Sequence, residues 1–225
     1  TSICIKEYDI KMDEEITIID SNARNERIKN FFINNKKKLI ITVSIILVII
    51  IGYLSFEKSK ERTKIKLANQ YNLALIDLNP DNKQKTINEM VKVVKSKDAT
   101  YSPLALYHLL DNNLLENNEE INTLFNELIE KTNLENEIKN LIIYKKALFN
   151  SDFVSENELL KILNPVINSE SIWKSHALYL MAEFFYSKGE KQKAKEFFKQ
   201  ILVLPNANNE IKIESQKRLN RDLGE

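Results

Sequence analysis

His108 and His176 are the side chains whose type best suits acid–base work or metal ligation near neutral pH, so their neighbours decide what chemistry is open. Neither belongs to an HxxxH or HExxH pattern, and the single cysteine, Cys4, lies far off in the N-terminal leader. No metal set assembles from that spacing, and both histidines read as packing or surface residues. There is no GxSxG turn, and three glycines in 225 residues are too few for a phosphate-cradling loop. Glu119, Glu120, Glu135 and Glu137 fall near expected helix starts, where the helix dipole favours a carboxylate without any general-acid role. These residues predict no enzyme, no metal, no cofactor and no small-molecule substrate.

Contact chemistry is what remains. Tyr107, Tyr144 and Tyr179 stand in "LALYHLL", "IIYKKAL" and "HALYLMA", spaced 37 and 35 residues apart. A tyrosine offers broad apolar area plus a hydroxyl, which suits a transient grip on an extended polypeptide. The competing reading is that these rings pack between neighbouring elements. Changing Tyr179 and Tyr186 to Ala together separates the two: loss of stability without loss of partner binding per folded molecule would discard the grip.

The elements that must carry these residues are helical throughout. Glycine and the four prolines are scarce, and apolar residues recur at helical spacing from residue 57 onward. Residues 57–79 predict one charged helix. Pro80 and Asp81 predict the start of a second, with Ile87, Met90, Val91 and Val94 as its stripe. Ser102 and Pro103 predict an N-cap and first helical position for the next. Ile121, Leu124, Phe125 and Leu128 share one face of a fourth, and five more follow between Asn/Ser/Asp breaks. A period in the mid-thirties on paired helices predicts an all-α solenoid of hairpins, each burying its face against the next.

Ahead of that domain, Leu39–Phe56 contains no charge, and thirteen of its eighteen residues are Leu, Ile, Val or Phe. At about 1.5 Å per residue it reaches roughly 27 Å, a bilayer's hydrocarbon thickness. A soluble helix is rarely apolar on every face, and Tyr53, Leu54 and Phe56 stand where a signal peptidase needs small residues. The expectation is an uncleaved transmembrane helix at 39–56. The chain then divides into a flexible cytoplasmic tail (1–22), a basic amphipathic juxtamembrane segment (23–38), the span, and a repeat domain (57–225). Met12 is the only methionine before the span and is a candidate native start, with residues 1–11 an upstream extension. In 23–38, Ile28, Phe31 and Phe32 are read as one face opposite Arg24, Arg27 and Lys29. That face suits either a helix lying on the membrane surface or the first turns of the span itself. Basic residues flank both ends of the span, but the contiguous Lys36–Lys38 and the short leader favour an N-terminus in the cytoplasm. Residues 57–225 carry twenty-five basic and twenty-five acidic side chains, a balance unlike that of a nucleic-acid binder.

The last hairpin resembles a tetratricopeptide repeat. With its first position at Ser175, the repeat's signature positions hold Leu178, Met181, Ala182, Phe185, Ala194, Phe198 and Ile201, and Pro205 lies near the closing proline. Leu178 stands where the family prefers Trp. The resemblance implies that Tyr179, Glu183 and Tyr186 line the concave groove, with Tyr107 and Tyr144 continuing the row. The whole layout, with "RIKNFFINNKKKLI" before the anchor and "KLANQYNLALIDLN…ATYSPLALYHLL" after it, resembles the YfgM-like ancillary subunits of the bacterial SecYEG translocon. That resemblance implies a single-pass inner-membrane protein with a periplasmic tetratricopeptide-like domain. Its implied partners are the translocon and a membrane-anchored periplasmic chaperone, and its implied role is to assist proteins in export. A scaffold for another cell-envelope complex is the alternative.

Overall fold

The computed structural model describes the backbone of residues 2–78 and 82–224, with side chains from Arg24 onward. Among the described residues there are nine helices and no strand. The helices are α1 (Ser2–Ile76), α2 (Lys83–Lys95), α3 (Tyr101–Asp111), α4 (Asn118–Lys131) and α5 (Asn136–Asn150), followed by α6 (Glu156–Ile167), α7 (Lys174–Ser187), α8 (Lys191–Val203) and α9 (Asn209–Asp222). The chain forms two compact units, Thr1–Thr63 and Lys64–Glu225.

The first unit is helical backbone from Ser2, including residues 2–22, which were expected to be a tail without regular structure. The physical reason is compositional: no glycine occurs before Gly52 and no proline before Pro80, so nothing in the leader breaks a helix. The Ile28–Phe32 stripe needs a correction. At about 100° per residue, Arg24 lies roughly 20° from Phe31, inside the apolar arc rather than opposite it. The segment continues without interruption into the apolar stretch. From Ile40 to Phe56 the large apolar side chains are exposed, Val48 and Phe56 keeping 70% of their surface. That stretch is long and apolar enough to cross a membrane, and none of it is buried within the protein.

The second unit contains the end of α1 and α2–α9, each helix packing on the next in chain order from α2. Second-neighbour contacts add α2 to α4, α5 to α7 and α7 to α9. Two apolar cores result. One joins Ala74, Ile87, Met90, Val93 and Val94 to Leu106, Leu109, Leu124, Phe125 and Ile142. The other joins Ile143, Leu159 and Leu163 to the α7–α8 pair and to Leu219 of α9. Helix α5 thus serves both, through adjacent residues Ile142 and Ile143. The stripe expected on the second helix shifts by a little: Val93 is buried with Ile87, Met90 and Val94, while Val91 is half-buried. Ile121, Leu124, Phe125 and Leu128 are all buried, as their spacing predicts.

Local signals account for several boundaries. The Asn117 carboxamide accepts from the Glu119 and Glu120 amides at 2.8 and 3.2 Å, and Asn208 caps α9 in the same way. Ser155 and Glu158 form a capping box on α6. Ser102 departs from its expected N-cap role. Helix α3 starts at Tyr101, where Asp98 accepts from the Thr100 and Tyr101 amides. The Ser102 hydroxyl is buried instead, donating to the Val93 carbonyl at 2.8 Å and accepting from the Asp98 amide at 3.0 Å. It ties the end of α2 to the start of α3. The Pro80–Asp81 start signal lies outside the described residues.

Helix α7 ends in a Schellman motif: the Glu190 amide donates to the Phe185 carbonyl and the Gly189 amide to that of Tyr186. Gly189 takes φ +77 with nothing near an added Cβ, so Gly189→Ala pays only the left-handed backbone cost. A loss of about 1 kcal/mol is expected in a thermal melt. The same motif closes α3 with Asn113 at φ 50, where the short polar side chain tolerates the conformation.

Between α4 and α5 the polar links span 20 and 28 residues, through Lys146 with Asn126 and Asn150 with Asn122, but from α5 onward they fall in a narrower range. Ser171 donates to Glu137 across 34 residues, Arg218 to Glu183 across 35, Lys193 to Glu156 across 37, and the Asn208 amide to Ser175 across 33. These spacings match the mid-thirties period of the three tyrosines.

Candidate functional site

Helices α7 and α8 form the most extensively packed hairpin among the described residues. Leu178, Met181, Ala182, Phe185, Ala194, Phe198 and Ile201 are all buried in it. Ala182 and Ala194 leave no exposed surface, since small residues at these points let two helix backbones approach closely. Tyr179 sets its ring edge against Phe198 at 5.5 Å. Burial, with Glu183 nearby, pushes the Tyr179 phenol up to about 12.

Glu183 and Tyr186, one turn further on, converge on Arg218 of α9. The Arg218 guanidinium donates through both Nε and Nη2 to the two Glu183 oxygens, lies 4.3 Å above the Tyr186 ring, and donates to Asp222 through Nη1. A planar guanidinium matches a carboxylate and an aromatic face at once. The pair raises the Arg218 pKa above its ordinary value, chiefly through the hydrogen bond to Glu183.

Tyr144 sits elsewhere, stacked on Trp173 at 6.0 Å, with His176 edge-on at 5.8 Å. Burial raises the Tyr144 phenol and lowers the His176 imidazole. His108 Nδ1 accepts from the Asn112 side-chain amide at 3.2 Å, and burial lowers its pKa too. Both rings are half-buried, on α3 and α7, and His108 Nε2 and His176 Nδ1 are buried without a hydrogen-bond partner. Among the described residues no three His, Cys, Asp or Glu side chains gather to hold a metal ion. Glu119, Glu120 and Glu137 occupy first turns of helices, and Glu135 is the residue preceding α5.

Tyr107 stands alone on α3. Its ring lies under Lys145 Nζ at 4.5 Å, and its hydroxyl is buried with no hydrogen-bond partner. Burial, with Asp111 adding, raises its pKa above the ordinary phenol value. An unsatisfied buried hydroxyl costs about 1 kcal/mol, so Tyr107→Phe is expected to raise stability by that order. A lower melting midpoint would show that the hydroxyl is bonded.

The five groove candidates therefore form three clusters. Tyr179, Glu183 and Tyr186 share α7, Tyr144 belongs to an aromatic set with Trp173 and His176, and Tyr107 is separate. Each tyrosine is half-buried against its own chain. Arg218 was not singled out in the sequence, although its position one period after Glu183 is the signal that would have found it. A second feature carried no sequence signal: a groove of about 380 Å³ between α3 and α5, lined by Pro103, Leu104, Tyr107, Glu135, Ile138 and Leu141 among others. Comparison of the chain with protein-family models, with curated proteins and with solved structures finds no match.

Proposed function

We propose that the chain is a non-enzymatic, membrane-anchored adaptor that assists protein export at the SecYEG translocon. In this reading, residues 39–56 cross the bacterial inner membrane once and leave the helical domain on the periplasmic side. The observation that carries the proposal is the pairing of one fully exposed apolar stretch with a domain of sequentially packed helices. Polar links at 33 to 37 residues from α5 onward and the burial of every assigned signature side chain from Leu178 to Ile201 favour a tetratricopeptide-like solenoid. A solenoid of this kind acts by contact. Anchoring raises its effective concentration near membrane partners without strong intrinsic affinity. A membrane-anchored periplasmic chaperone is the second partner proposed.

Crosslinking the full-length protein in native membranes, followed by purification in mild detergent, tests this. Recovery of translocon subunits with a membrane-anchored chaperone is the expected result. Reproducible recovery of a different envelope complex, without the translocon, overturns the export role and leaves a scaffold.

A further inference from the structure

We propose that the groove between α3 and α5 is a docking site for a polypeptide segment that places an apolar side chain beside a basic one. This deepens the proposed adaptor role by naming the ligand class. Successive helices of the α5, α7, α9 series pack on one another, whereas between α3 and α5 the space is left open. Its volume, about 380 Å³, lies within the range of on the order of 300–1,000 Å³ typical of ligand sites. The walls are mostly apolar, and Leu104 and Ile138, which line them, remain 41% and 39% exposed. Glu135 is the one charged residue lining the groove. It precedes α5 without its side chain capping that helix.

That charge decides the occupant. An apolar groove with a lone carboxylate at its edge complements a cation next to an apolar anchor, and repels an acidic segment. The chain displays the same chemistry elsewhere: on α7 a glutamate and a tyrosine are filled by Arg218 of α9. The α3–α5 groove also holds a carboxylate and a tyrosine, Glu135 and Tyr107, contributed by different elements. Lys145 covers a face of Tyr107 but does not line the groove.

The test uses the full chain in zwitterionic-lipid nanodiscs at physiological salt, with the signal from empty nanodiscs subtracted. Anisotropy is read on a fluorescein-labelled eight-residue peptide of alternating leucine and arginine. Two control peptides replace its leucines by serine or its arginines by glutamate. Burying one leucine is worth about tenfold in affinity, so the leucine–arginine peptide should bind about tenfold tighter than the serine version. Leu104→Ser with Ile138→Ser should remove that advantage. Glu135→Gln, a conservative change at an exposed residue, should abolish preference over the glutamate peptide even if the double variant folds poorly. Equal binding of the acidic peptide, or wild-type affinity in a folded double variant, overturns the proposal. So does competition by self-association, which would make a second copy the occupant. Loss of peptide binding with translocon recovery intact would discard this site alone; the reverse pattern would discard the export role alone.

Discussion

Phe198→Ala lowers the stability of the helical domain by about 4 kcal/mol, a large single-residue loss. Phe198 is fully buried where α7 and α8 meet, next to the alanines that bring the helices together, and Tyr179 rests against its ring. Deleting it removes a large transfer contribution and leaves a cavity that rigid neighbours cannot close. Domains are commonly stable by only about 5–15 kcal/mol, so much of the margin would go. Trp173, the one tryptophan, is stacked on Tyr144 within the same core and reports the transition by its fluorescence. An unchanged midpoint for the variant would mean that this hairpin does not hold the domain together.

Arg218→Ala should cost about 2 kcal/mol. Breaking a fully buried ion pair costs on the order of 3–5 kcal/mol. Here the Glu183 side chain keeps 32% of its surface exposed, and solvent screening reduces the loss. The substitution also removes the stack on Tyr186 and one of the few ties that hold α9, whose buried residues are only Ser215 and Leu219. In a double-mutant cycle, Glu183→Gln should cost little once Arg218 is gone. Acid should act on the neighbouring Asp222 contacts. Arg221 and Arg218 hold Asp222 well below the ordinary carboxylate range. A depressed folded-state pKa stabilises fully above the unfolded value of about 3.9, and that contribution is lost as the pH falls below it. Removing the guanidinium groups of Arg221 and Arg218 together should therefore flatten the acid limb of the stability profile. A limb as steep as wild type would place the acid sensitivity elsewhere.

Much of this architecture was legible because periodicity and burial coincide. Ile121, Leu124, Phe125 and Leu128 repeat at helical spacing and are buried together. The seven signature residues of the last hairpin do the same. Ser102 was misread because a Ser-Pro pair is a strong helix-start signal. Asp98, upstream, instead supplies the carboxylate that receives the first free amides. The leader misled through its mixed charge, although mixed charge without glycine or proline remains compatible with helix. The tyrosine row was visible as a period but not as partners. Ring neighbours such as Trp173 and Arg218 lie about one repeat away in sequence, and period alone does not say which residue faces which. The α3–α5 groove arises from the spacing of two helices, a property carried by no single residue.

In the proposed topology one span separates the leader from an exported helical domain, and thiols introduced on either side of it into a chain whose Cys4 is replaced by Ser test this directly. Intact cells and detergent-opened cells would be treated with a membrane-impermeant maleimide, using Asn25→Cys and Asp152→Cys variants. The thiol introduced by Asn25→Cys is expected to be labelled only after the inner membrane is opened. The thiol introduced by Asp152→Cys is expected to be labelled once reagent reaches the periplasm, with both forms remaining in the membrane fraction. Equal access to both positions, or release of the protein into the soluble fraction, would contradict it.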